Sequence, residues 1–313
     1  MPITRRHLQL SLAVLWLFDG ILQCQPYMFS RNFAQGILVP ASQGQPRLVA
    51  GPLHVVTSLV LAQPALANAA FALTQIGLGL FLFSRRHARA ALIASIAWAL
   101  GVWFFGEGLG GIVAGANLLS GAPGAALLYA VIALLAWPSR NPPRDERPSR
   151  LSVFAWCGLW LTSAVLQLVA GNDAGTSLTM SLRAGESGSP LWLGRIDRAF
   201  AKWHIPNWLV AGMIAVFVLV ALWALVPGWT RRFALAIGTV VALIGWLFFQ
   251  GLGDLTSGHA TDLNTGPLVV LLAIAVLGVD NPRANARHRG PAREFAESES
   301  TSLRRDLRPG VNV

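Results

Sequence analysis

The chain alternates long apolar stretches with short polar connections. The stretches lie near residues 8–25, 66–84, 90–106, 118–137, 151–170, 207–228, 233–250 and 266–280. Leu151 to Ala170 and Trp208 to Val226 carry no charge, and each approaches the roughly 20 residues a helix needs to cross a bilayer. Apolar side chains occur all round each stretch, so no 3.6-residue period survives, and length and flanks set the boundaries. Lipid offers backbone amides no partner, so each stretch must satisfy its own hydrogen bonds as a helix. The pattern predicts an all-α, polytopic integral membrane protein of about eight transmembrane helices.

The pattern also occurs twice. Leu15-Trp16-Leu17 with Leu22-Gln23 returns as Leu159-Trp160-Leu161 with Leu166-Gln167. Trp103 and the run Glu107-Gly108-Leu109-Gly110 return as Trp246 and Gln250-Gly251-Leu252-Gly253, and Pro123 with Leu127-Leu128 returns as Pro267 with Leu271-Leu272. A constant offset of 143 or 144 residues is the mark of a duplication. An even number of helices per unit inserts both units the same way up, as parallel repeats about an axis along the membrane normal. The expected organisation is a first four-helix repeat over 1–138, a cytoplasmic linker over 139–150 and a second four-helix repeat over 151–280. A disordered cytoplasmic tail of mixed charge follows over 281–313.

Charge then sets orientation. Only 12% of residues are charged against 54% hydrophobic, and the net charge is +10. Such a balance suggests nucleic acid until the cations are placed; they form no patch with interleaved aromatics. All but six of the 24 Lys and Arg residues fall in the terminal segments and in alternate connections. The six are Arg31, Arg47, Arg183, Arg195, Arg198 and Lys202. By the positive-inside rule both termini are cytoplasmic. An Arg-rich, Ala- and Gly-rich composition points to a GC-rich bacterial genome, hence to a bacterial inner membrane. Arg5 and Arg6 read as inside anchors of a retained first helix, because Gln23 ahead of Cys24 does not fit a lipoprotein cleavage site. Cys24 and Cys157 fall near opposite ends of equivalent helices, too far apart to pair.

Two outer connections, 26–65 and 171–206, are longer than helices usually need, which points to function or to structure of their own. In the second, Trp192 to His204 predicts a helix lying in the membrane interface, with Ile196, Phe200 and Trp203 on one face. Leu53 to Ala62 is its more apolar counterpart.

Polar groups inside apolar spans are expensive and mark where chemistry is to be sought. Asp19 lies one turn from Gln23, and the second repeat has Ser163 and Gln167 at these positions. Asp19 is either a proton-binding group facing the bundle interior or a hydrogen-bonded packing acid. Glu107 aligns with Gln250, each ahead of Gly-Leu-Gly. Such a turn is either partly re-entrant, its free backbone lining a cavity, or a helix end in close contact with its neighbours. Asp19, Gln23, Glu107, Gln167, Gln250 and Asp254 are therefore the candidate ligand- or proton-binding residues. His259 and Asp262, close to Asp254, are weak metal candidates, since no His pair has i, i+4 spacing and a solvated loop is the favoured reading. No set of nucleophile, base and acid is present, so no catalytic residue or cofactor is assigned and an enzyme is the least favoured class.

The four-helix unit, with its first-helix Leu-Trp-Leu and Gln and its Arg85-Arg86 turn ahead of an Ala-rich third helix, resembles the DoxX-like bacterial membrane proteins. That resemblance implies four-helix integral units, some of them linked to quinone or thiol redox chemistry. The long outer loops and the Glu/Gln-Gly-Leu-Gly turn depart from it. Three functions follow as expectations. The chain binds or passes a small solute or lipid in an outer-facing cavity, serves as a quinone- or redox-linked accessory subunit, or holds an envelope protein partner through its outer loops. Membrane lipids are partners in each case and nucleic acid in none.

Overall fold

The structure, a computed structural model, describes residues 3–138, 150–200, 202 and 205–279. Among them every regular element is helical. The first part of the chain folds into α1 (Arg5–Leu22), α2 (Arg47–Ala62), α3 (Pro64–Phe83), α4 (Ala88–Phe105) and α5 (Ala125–Leu135). The second part folds into α6 (Leu151–Ala170), α7 (Ala174–Gly188), α8 (Leu191–Phe200), α9 (Asn207–Leu225), α10 (Trp229–Ile244) and α11 (Thr265–Val279). Most of the expected linker, the expected tail, Trp203 and His204 lie outside the described residues.

Among the described residues five helices are long and apolar enough to cross a membrane: α3, α4, α6, α9 and α10 with its π-helical extension to Phe249. α1 has the length, at 18 residues, but carries Arg5, Arg6 and Asp19. α5 and α11 have 11 and 15 residues. The apolar stretch 118–137 is thus not one helix. Asn117 Oδ1 accepts from the amides of Leu119 and Ser120 at 3.0 and 3.2 Å and folds that stretch into turns. Gly121 and Gly124 follow at φ 107° and 100°, and helix begins only at Ala125. Leu118 and Leu119 are buried all the same, so hydropathy alone could not separate turn from helix.

The surface fits lipid as solvent. Leu73, Leu80, Ile93, Phe154, Val165 and Val240 are exposed, whereas Gln9, Asn68, Ser95 and Ser163 are buried. Polar groups turned inward and apolar ones outward are what a hydrocarbon surrounding demands. α1 and α3 run antiparallel in close contact. Gln9 Nε2 donates to Leu82 O at one end and Asn68 Nδ2 to Gln23 O at the other, both at 2.7 Å. Small residues permit this approach: a Cβ on Gly79 would lie 2.6 Å from the Leu17 side chain and 2.9 Å from Ala13 O. α6 and α9 form a second close pair, filled by Trp156, Trp160 and Phe217, with Cys157 Sγ donating to Ala221 O at 3.1 Å. The short helices α5 and α11 touch each other at the centre, where Leu128, Ile132, Leu268 and Leu272 share one core.

Arginines close one end of the bundle. Arg6 donates to Leu82 O and Phe83 O at the end of α3, Arg5 to Trp137 O beyond α5, and Arg231 to Ala224 O and Leu225 O at the end of α9. Cations there satisfy the last, otherwise unpaired carbonyls and complement the helix dipole.

Both long connections are folded. Residues 26–42 form short helical turns in which Met28, Phe33, Ala34 and Leu38 are buried with Val60 of α2. In 171–206 the predicted interfacial helix is α8, with Leu193 and Asp197 buried and Ile196 and Phe200 exposed.

Candidate functional site

The site begins where α4 ends. The amides of Gly106 and Glu107 both donate to Val102 O, at 2.7 and 2.9 Å, so the last bond spans five residues rather than four. Such π-type turns rotate the following residue off the regular helical face. Gly108, Leu109, Gly110 and Gly111 then take φ of 56°, 60°, 63° and 69°, a left-handed turn. The other half repeats the device: Gln250 N donates to Gly245 O at 3.1 Å, and Gly251, Leu252, Gly253 and Asp254 take φ of 52°, 59°, 69° and 57°. The left-handed form costs an L-residue roughly 1–2 kcal/mol, so the surroundings must hold Leu109 and Leu252 in place. A Cβ on Gly110 would fall on Pro123 O, which accepts from Trp103 Nε1 at 2.7 Å. Trp246 Nε1 donates likewise to Leu263 O at 2.8 Å.

This geometry aims Glu107 at the start of α5. Its Oε1 accepts from Ala126 N at 3.0 Å, an acid at a helix N-terminus. Gln250 Oε1 accepts from Thr265 N at 3.3 Å and Thr265 Oγ1 at 3.0 Å at the start of α11. Of the two readings of the Gly-Leu-Gly turn, close packing describes its backbone, while Gly106 and Glu107 alone reach the cavity beside it.

That cavity holds about 310 Å³, within the size range of small-molecule pockets. α1 contributes Trp16, Asp19 and Gln23, α3 contributes Phe71 and Gln75, and α4 contributes Trp98 and Gly101. Tyr129 of α5 closes one wall, and Phe33, Ile37 and Leu38 of the folded 26–42 segment close another. The remaining wall comes from the other half of the chain: Thr261 and Asp262 line the same space. Gln25 Nε2 donating to Ala260 O at 3.3 Å, and Tyr27 stacking on His259 at 5.3 Å, hold that loop over the first half.

Six of the lining groups present a buried polar atom with no hydrogen-bond partner: Asp19 Oδ1, Gln23 Oε1, Gln75 Oε1, Trp98 Nε1, Glu107 Oε2 and the Tyr129 hydroxyl. Tyr129 stands beside Asp19 without closing a bond of good geometry. Asp19 is 1% exposed. Burial, and then the facing Asp262 carboxyl, push Glu107 up to about 8. Burial also raises Asp262, against the opposing pull of the Thr261 hydroxyl at 2.8 Å and the Asn264 amide at 2.6 Å.

Asp19, Gln23, Glu107 and Asp262 therefore meet around one space, Asp262 from a half-buried position in the loop that forms part of its wall. The other candidates lie elsewhere. Gln167 is buried in α6 with its Nε2 unpartnered. Gln250 ties the halves together by donating to Leu119 O at 3.0 Å. Asp254 closes the second left-handed turn, its carbonyl accepting from Ser257 N at 2.9 Å. Among the described residues no three His, Cys, Asp or Glu side chains come close enough to hold a metal. Sequence reasoning passed over Gln75, Trp98 and Tyr129. The signal for Gln75 was present, as a polar residue in the apolar run of α3. No protein family, curated protein or solved structure matches this chain.

Proposed function

We propose that this chain is a multi-pass protein of a bacterial inner membrane, with eight helices in two like four-helix units and both termini cytoplasmic. Its role in this reading is to bind or pass a small solute or lipid in an outer-facing cavity built mainly by the first unit and closed by Thr261 and Asp262 of the second. The observation that carries the functional part is the cavity itself: about 310 Å³ bounded by buried polar atoms without partners. A buried polar atom left unpaired costs on the order of 1–3 kcal/mol, so a wall holding six of them is arranged for an occupant. The two-unit organisation is supported by the paired left-handed turns, the Trp103 and Trp246 bonds, and the Glu107 and Gln250 caps. Orientation is supported by the arginines that close one end of the bundle.

Gly101 offers a clean test. It lines the cavity, and a Cβ there meets nothing within 4 Å, so Gly101→Leu fills the space without a backbone clash. Native mass spectrometry of the detergent-purified protein, with small molecules identified after release, should find a stoichiometric ligand in the natural protein and none in the variant. An apo mass for the natural protein, or a ligand that survives Gly101→Leu, contradicts the proposal.

A further inference from the structure

The chemistry of the cavity is one-sided. Asp19, Glu107 and Asp262 face it, and among the described residues no Lys, Arg or His lines it. Four of the unpartnered atoms are amide or carboxyl oxygens, the carboxyls acceptors once ionised: Asp19 Oδ1, Glu107 Oε2, Gln23 Oε1 and Gln75 Oε1. Trp98 Nε1 is the one pure donor left open, since the Tyr129 hydroxyl can serve either way. An occupant must therefore bring donors. The rest of the wall is apolar, and part of it is aromatic: Phe71 lies against Trp98 at 5.8 Å and Trp16 against Tyr129 at 4.5 Å. Ring faces attract a cation that comes within about 6 Å of their centres. An anion would meet three acids with no Lys, Arg or His among the described lining residues to balance it, and a quinone would bring only acceptors to a wall whose open atoms are mostly oxygens.

On the reading that this cavity is a ligand site, we propose that its ligand is a protonated primary or secondary amine with a compact apolar or aromatic body. Its ammonium faces the carboxyls of Asp19, Asp262 and Glu107, and its body lies against Trp98 and Phe71. N–H groups fill the empty acceptors, and the ammonium charge favours the ionised carboxyls, drawing off the proton that burial leaves on Glu107 before the amine binds. The apolar remainder takes the space that Gly101 leaves open.

The test compares 2-phenylethylamine with 2-phenylethanol, its neutral isostere, by calorimetric titration of the full detergent-purified chain at neutral pH. The amine should bind at least about tenfold more tightly than the alcohol. Asp19→Asn with Glu107→Gln should abolish that preference while leaving the weaker binding of the alcohol. Because the comparison is made first on the natural protein, it stands even if the double variant does not fold. Equal binding of the two probes, or a preference for the alcohol, overturns the amine and leaves the cavity as a site for neutral ligands. If neither probe binds while mass spectrometry finds a neutral ligand, the amine again falls and the site stands. If neither binds and the protein is apo, both fall.

Discussion

Glu107 combines two roles in one carboxyl. One oxygen caps α5 through Ala126, and the other points into the cavity unpartnered. Gln250 does the capping half of this work with an amide, so Glu107→Gln should fold. Its effect should appear in the pH dependence of stability. Folded Glu107 keeps its proton up to about 8, while the unfolded chain releases it in the ordinary carboxylate range. Between those limits the folded state binds more protons, so stability falls as pH rises. The thermal midpoint of the detergent-solubilised protein should therefore decline from about pH 5 to about pH 8, a window given by the ordinary and shifted values of this carboxyl. Glu107→Gln should flatten the decline without erasing it, because burial raises Asp254 and Asp262 in the same direction. An unchanged slope in the variant would mean that Glu107 is ionised in the folded protein.

At the scale of elements, the close contact of α1 and α3 sets the two walls that carry Asp19, Gln23 and Gln75. Lipid supplies no hydrophobic drive between helices, so contact depends on small residues and interhelical hydrogen bonds. Gly79→Leu should push the helices apart, since even a Cβ there meets Leu17 and Ala13 O. A loss of about 1–3 kcal/mol is expected, as for overpacked cores. A Cβ on Gly77, two residues away on the same helix, meets nothing within 4 Å, and Gly77→Leu should be close to neutral. The measurement is the thermal midpoint of both variants; equal losses would place the α1–α3 contact elsewhere.

For the whole molecule, topology is the first matter to test. Cys24 is exposed just beyond α1, whereas Cys157 is buried in α6. A membrane-impermeant maleimide added to spheroplasts should label Cys24 and not Cys157. Alkaline phosphatase fused after Val313 should be inactive and green fluorescent protein at the same place fluorescent, if the C-terminus is cytoplasmic. The reverse result in both fusions inverts the orientation and moves the cavity to the cytoplasmic end.

The apolar runs, their uncharged length and the recurrence of Leu-Trp-Leu around Trp16 and Trp160 are local properties of the chain, so helical class is legible without coordinates. Asp19 and Glu107 stood out for the same reason: an acid beside or within an apolar run is conspicuous in one dimension. Position along the chain could not show that α5 starts only at Ala125, because turns at Leu118 and Leu119 bury apolar side chains as a helix does. Nor could it show that Asp262, more than 150 residues from Glu107, faces it across one cavity. That meeting depends on the packing of α5 against α11 and on the Gln25 and Tyr27 contacts that draw the 255–264 loop over the first half. Residue type along the chain determined which groups were available for chemistry. Tertiary packing decided which of them share a space, because contacts between distant segments follow from shape and small-residue approach, which no local pattern encodes.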